Sequence, residues 1–146
     1  MSLSDRISLQ PTALDVRRLN EWLDQKFLES GVDKALAADL KLCLNEIVGN
    51  LISYGFKDTS DPLTLVQITL DGCSASATVT DNGGYFDVRE WKAPQHRDLM
   101  TSEPGGFGIN LIKERAKHIE YARVGALNQL KIVCKVASPE SGLRRK

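Results

Sequence analysis

Cysteine is scarce in this chain: Cys43, Cys73 and Cys134 are the only three in 146 residues. An odd number with no zinc-ligand spacing excludes a disulfide framework and a zinc module, and leaves small, buried apolar side chains as the reading. An excess of either charge is absent as well. The 19 Lys and Arg balance 19 Asp and Glu, so the chain lacks the basic footprint of a general nucleic-acid binder. No apolar run approaches the roughly 18 residues of a membrane span. The start, Met1-Ser2-Leu3-Ser4-Asp5, has neither the basic residues nor the apolar core of a signal peptide. These absences point to a cytoplasmic chain with no direct nucleic-acid partner and no membrane partner. Internal repeats and long linkers are missing too. What remains, with 42% hydrophobic and 26% charged residues, is an ordinary globular composition, suited to one domain over residues 1–137 and a polar, mobile tail over 138–146.

Short-range patterning places the elements. Residues 6–10 suit a short first strand. Thr12, with Asp15 three residues on, marks a helix start, and Val16, Leu19, Leu23 and Phe27 follow at helical steps. Gly31 closes that helix and Asp33 is placed to cap the next. The second helix is expected over 34–54, with Leu36, Leu40, Cys43, Leu44, Ile47 and Leu51 on its apolar face and Lys34, Lys41 and Asn45 opposite. Residues 64–70 alternate as a strand, and Asp71-Gly72 suits a hairpin turn of the mirror-image type. Cys73, Ala75, Ala77 and Val79 then share one phase, and Asp81 continues it. A carboxylate therefore points to the buried side at a strand end. Residues 91–104 read as an irregular polar segment, a helix is expected over about 109–117, and strands over about 119–124 and 130–136 close the fold. Strands joined by hairpins, with the helices grouped, make a two-layer α+β sandwich, a mostly antiparallel sheet covered on one face by helices.

Three constellations carry chemistry. Glu46 and Asn50 stand one helical turn apart at the edge of the apolar stripe. An amide oxygen is a hard ligand suited to Mg²⁺, and a neighbouring carboxylate is suited to general-base work; a solvated helix edge is the plain alternative. Asp81-Asn82-Gly83 places an inward carboxylate that needs a partner, such as the exocyclic amino group of adenine, beside a glycine against which a flat base can lie. The plain alternative there is a turn. Gly105-Gly106-Phe107-Gly108 frees backbone N–H groups to converge on an anion before a helix, or is simply a flexible loop. Together the three supply a metal ligand, an adenine contact and a phosphate loop, the needs of an ATP site. The two commonest phosphate loops, Gly-Lys-Ser/Thr and Gly-x-Gly-x-x-Gly, are both absent.

In this order and spacing the chain resembles the Bergerat-fold (GHKL) ATPases over residues 6–136, and within them the anti-sigma-factor serine/threonine kinases of the RsbW type. Residues 44–56, Leu-Asn-Glu-Ile-Val-Gly-Asn-Leu-Ile-Ser-Tyr-Gly-Phe, are similar to the family's N-box, Glu-x-x-x-Asn followed by Ala-x-x-His-Gly-Tyr. Residues 81–87, Asp-Asn-Gly-Gly-Tyr-Phe-Asp, resemble its first glycine box, and 105–112, Gly-Gly-Phe-Gly-Ile-Asn-Leu-Ile, its second.

The resemblance implies that Asn50 holds Mg²⁺ bridging the phosphates of ATP or ADP and that Glu46 is the base toward an attacking serine hydroxyl. It implies that Asp81 and Gly83 meet adenine, and that Gly105, Gly106, Phe107 and Gly108 form the phosphate segment. Residues 92–104, with Arg97, would be a lid. The implied partners are a STAS-type anti-anti-sigma protein, which is phosphorylated, and a sigma factor, which is sequestered; a homodimer is expected. Tyr54 and Tyr85 depart from the family's His and Pro. A histidine-kinase role does not fit, since His96 and His118 are the only histidines and no helical hairpin carries a phospho-acceptor. Two readings compete with the kinase: a nucleotide-binding regulatory module with little or no transfer, and an interaction domain that binds no nucleotide.

Overall fold

The computed structural model of the chain describes residues 2–90 and 105–136, with 105–108 by backbone alone. The tail over 138–146 and the lid over 92–104, with His96 and Arg97, lie outside the described residues. Five strands form one antiparallel sheet: β1 (Leu3–Leu9), β2 (Thr64–Asp71), β3 (Ser74–Asp81), β4 (His118–Val124) and β5 (Leu127–Lys135). Their spatial order is β1-β2-β3-β5-β4. Three helices, α1 (Ala13–Ser30), α2 (Lys34–Asn50) and α3 (Gly105–Arg115), accompany it. Leu19 and Leu23 of α1, the stripe from Leu36 to Val48 on α2 and Ile112 of α3 share one core with the inward residues Val66, Ile68, Leu70, Ala75, Ala77, Val79, Ile132 and Cys134. This is the α+β sandwich that the patterning predicts. Among the described residues, no helix is long and apolar enough to cross a membrane.

The helix signals act as the sequence predicts. Thr12 accepts a hydrogen bond from the Asp15 N–H, and Asp33 accepts from Ala35 and Leu36. Gly31 ends α1 in the left-handed conformation, φ 68°, where a side chain is disfavoured. The polar side of α2 faces α1: Asn45 and Asn20 exchange amide hydrogen bonds of 2.7 and 3.0 Å, and Lys41 reaches Asp24 at 2.8 Å.

Several expectations are corrected. The first strand is Leu3–Leu9, longer and earlier than 6–10, because β1 pairs along the whole of β2. Helix α2 ends at Asn50 and passes into a π-helical turn, Leu51–Gly55. Helix α3 begins at Gly105 itself, so the glycines form its first turn, where N–H groups need no helical acceptor. The β2–β3 turn is not of the mirror-image type, since neither Gly72 nor Cys73 has positive φ. Asp71 instead accepts from the Cys73 N–H at 2.9 Å and closes the turn with its side chain. Cys73 is thereby lifted out of the strand phase and exposed, whereas Cys43 and Cys134 are buried as expected.

Candidate functional site

The site grows from the end of β3. Pairing with β2 and β5 fixes the phase that turns Asp81 inward, opposite Thr64 and Asn128. Asp81 is 6% exposed. Among the described residues it accepts two hydrogen bonds, both on Oδ1: one from the Gly83 N–H at 2.9 Å and one from the Asn128 amide at 3.0 Å. Its Oδ2 has no hydrogen-bond partner among the described residues. Burial raises the Asp81 pKa above the usual carboxylate range, against the lowering effect of those two donors and of the Arg123 charge.

Asn82 turns the other way. Its Oδ1 accepts from the Leu63 N–H and its Nδ2 donates to the Asp61 carbonyl, both at 2.8 Å, which ties the strand end to the start of β2. Gly83 has a packing role of its own. A Cβ there would stand 2.5 Å from the Gly55 carbonyl oxygen and 3.1 Å from Asp81 Oδ1. The Gly84 N–H donates to the same Gly55 carbonyl at 3.1 Å. The segment after the N-box helix and the segment after β3 therefore meet backbone to backbone.

Glu46 and Asn50 lie one turn apart near the end of α2, both half-buried. Among the described residues neither side chain has a hydrogen-bond or ion-pair partner, which leaves a hard oxygen donor and a carboxylate free for a ligand. An Asn oxygen fits Mg²⁺ of the kind that takes most of its other ligands from phosphate and water. Gly105, Gly106, Phe107 and Gly108 form the first turn of α3, which packs against α2. A cavity of about 360 Å³ lies beside this arrangement, lined by Tyr54, Gly55, Lys57, Thr59 and residues 82–84. Gly83 is shared between this cavity and the candidate site, whereas Asp81, Glu46 and Asn50 do not line it, so the cavity meets the candidate site at Gly83.

Sequence reasoning missed Asn128, Arg123 and Tyr121. Asn128, 4% exposed, donates from Nδ2 to Asp81 and to the Gly84 carbonyl at 2.9 Å. Its Oδ1 accepts from the Tyr121 hydroxyl and from Arg123 at 3.0 Å. Arg123 also donates to the Gly83 carbonyl at 2.8 Å. The available signal was a polar residue, Asn128, in the inward phase of β5. The departure at Tyr85 is accommodated nearby: its ring meets Tyr121 edge-on at 5.5 Å, and Arg89 lies 5.9 Å over the Tyr121 ring. Arg89 in turn grips the buried Asp87 carboxylate through Nε and a 2.7 Å contact from a terminal nitrogen. His118 is exposed on β4 beside Glu120.

A five-stranded antiparallel sheet, helices on one face, a buried Asp at the end of β3 and a glycine-led helix define a GHKL-type ATPase domain. The chain belongs to the histidine kinase-like ATPase domain family, whose model matches residues 9–134. It is 26% identical over 141 residues to the serine/threonine-protein kinase BtrW of Bordetella bronchiseptica, covering 96% of this chain and 99% of that protein. Among solved structures, the RsbU and RsbW domains of Rv1364c from Mycobacterium tuberculosis share the fold, with a TM-score of 0.63 at 18% identity over 91% of this chain. This chain spans 32% of that structure's length. The resemblance to the GHKL ATPases read from the motifs therefore stands, and membership of an ATPase-domain family implies nucleotide binding.

Proposed function

We propose that the chain is a serine protein kinase of the anti-sigma-factor type. It binds Mg·ATP, phosphorylates a STAS-type anti-anti-sigma protein and sequesters a sigma factor when that antagonist is absent or phosphorylated. The observation that carries the nucleotide part is the buried Asp81 carboxylate, with one oxygen doubly hydrogen-bonded and the other an acceptor without a partner among the described residues. An exocyclic amino group of adenine would satisfy that oxygen. Asn50 would hold Mg²⁺ against the phosphates, the first turn of α3 would offer them its free N–H groups, and Glu46 would take the proton from an attacking serine hydroxyl. Mg²⁺ would supply charge neutralisation between phosphates, and the chain's own contribution would be positioning. Similarity over nearly the full length to a serine/threonine-protein kinase supports transfer as the output.

A second reading, a nucleotide-binding regulatory module with little or no transfer, draws on one observation. No described side chain hydrogen-bonds or ion-pairs with Glu46 to orient it as a base. Incubation with γ-labelled Mg·ATP and a panel of STAS-domain proteins separates the two, with phosphoserine mapped by mass spectrometry. Label on a serine with the wild type, lost in Glu46→Gln at unchanged nucleotide affinity, supports the kinase. Nucleotide binding without transfer to any partner favours the module, and failure to bind nucleotide removes both. A homodimer is also proposed, and the sedimentation of the purified chain tests it.

A further inference from the structure

Arg123 is surplus to the parts that the motifs identify, yet its guanidinium bonds the groups that surround Asp81. It stands on the edge strand β4, paired across to Asn128 of β5, which is itself paired to Asp81 of β3. One guanidinium nitrogen donates both to the Gly83 carbonyl, at 2.8 Å, and to Asn128 Oδ1, at 3.0 Å. That second bond, with the Tyr121 hydroxyl, fills the oxygen side of the Asn128 amide. The nitrogen side then meets acceptors only: Asp81 Oδ1 and the Gly83 and Gly84 carbonyls. A flipped amide would set oxygen against three acceptors and nitrogen against a guanidinium, so the network admits one orientation.

We propose that Arg123 is a positioning residue of the base site: through Asn128 and the Gly83 carbonyl it holds Asp81 with one oxygen engaged and the other presented to the base as an acceptor. The inference rests on the reading that Asp81 meets the base. It adds a cross-sheet clamp that no motif contains. Among the described residues, the groups facing Asp81 are few. They are Thr64 from β2, the Asn128 amide from β5, the Tyr121 phenol and the Arg123 guanidinium from β4, and backbone N–H of Gly83. Arg123 is the cation among these described groups. Its removal takes away both the clamp and the positive charge that favours the acceptor form of Asp81 in a desolvated place.

The test is the affinity for Mg·ADP measured by calorimetric titration from pH ~4.5 to ~8 on the full chain, as wild type, Arg123→Met, Arg123→Lys and Asp81→Asn. Affinity is expected to fall on the acid side as Asp81 takes up a proton. In Arg123→Met that fall moves to higher pH, and affinity at neutral pH drops by about 10-fold, the loss expected for one charge-assisted hydrogen bond. Arg123→Lys moves the fall back toward wild type. A merely structural role would lower affinity evenly across pH and would not be restored by Lys. An acid-side fall at the same pH in wild type and Arg123→Met overturns the proposal. Absence of Mg·ADP binding in wild type, or an unchanged profile in Asp81→Asn, overturns the base-site reading beneath it.

Discussion

The substitution Asp81→Asn separates binding from folding, and the geometry says why. Both hydrogen bonds that described residues donate to Asp81 are accepted by Oδ1, from the Gly83 N–H at 2.9 Å and Asn128 at 3.0 Å. An asparagine with its carbonyl oxygen in that place keeps both. Its NH₂ then falls where Oδ2 was and confronts an adenine amino group with a donor. A buried donor left unsatisfied costs about 1–3 kcal/mol, so Mg·ADP affinity should drop by roughly 5- to 150-fold. The effect on stability has the opposite sense. The Asp81 pKa in the folded protein lies above the ordinary 3.8, with burial the largest cause. Between those two values the native state holds more protons than the unfolded chain, so wild-type stability falls as pH rises through that window. The variant has no such proton to lose, and at pH 7 its melting temperature should equal or exceed that of wild type.

Titration calorimetry reads the first outcome, and thermal unfolding at pH 7 the second. Unchanged affinity in a folded variant would remove the base from Asp81. A variant that melts well below wild type would show that Oδ2, too, is engaged in holding the fold.

Four further outcomes are expected. Gly83→Ala should cost about 1–3 kcal/mol in denaturant unfolding, because its Cβ meets the backbone oxygen of Gly55 at 2.5 Å and backbone yields little. A native thiol titration should find one rapidly reacting cysteine, Cys73, and three after denaturation, since Cys43 and Cys134 are 0% and 1% exposed. Asp33→Ala should lower stability by about 1 kcal/mol through loss of the α2 cap, measured by chemical denaturation. Arg89 holds the Asp87 carboxyl below its usual range, so the pair's stabilisation is complete above the ordinary Asp value and is lost as pH falls through the lowered one. Arg89→Met should lower the melting temperature at pH 7 and flatten that acid-side loss in a pH series of melts.

The legible parts of the fold were those fixed by local chemistry. Helix starts at Thr12 and Asp33, the end at Gly31 and the inward phase of Val66, Val79 and Asp81 all follow from near neighbours in the chain. The turn at residues 71–74 was misread because a side-chain bond, Asp71 to the Cys73 N–H, replaces the backbone conformation that Asp-Gly favours in hairpins. The start of α3 was misread because glycine's helical penalty is small beside the fold's demand for a helix against α2. The clamp was invisible for a different reason. Residues Tyr121, Arg123 and Asn128 reach Asp81 only because β5 inserts between β3 and β4, and no periodicity within a segment reports which strands become neighbours.

That insertion also accounts for the placement of the whole site. The Asp81 carboxylate is held from one side by the chain's last two strands, through Asn128 and Arg123. From the other side the segment after it is held by the end of the N-box region, through Gly55 against Gly83 and Gly84. On the proposed reading, the separation between a base at Asp81 and a metal at Asn50 would be set by these backbone contacts, which are shorter and stiffer than a path through side chains. Substituting Gly55 tests this step. Its own Cβ would stand 2.8 Å from a methyl of Leu51, the flexible end of a side chain, so Gly55→Ala is expected to fold with a modest loss. If the Gly55 carbonyl sets the spacing, the variant should weaken Mg·ATP binding more than binding of adenosine, which spans only the Asp81 end. Equal weakening of both ligands would show that the two ends of the site are positioned independently.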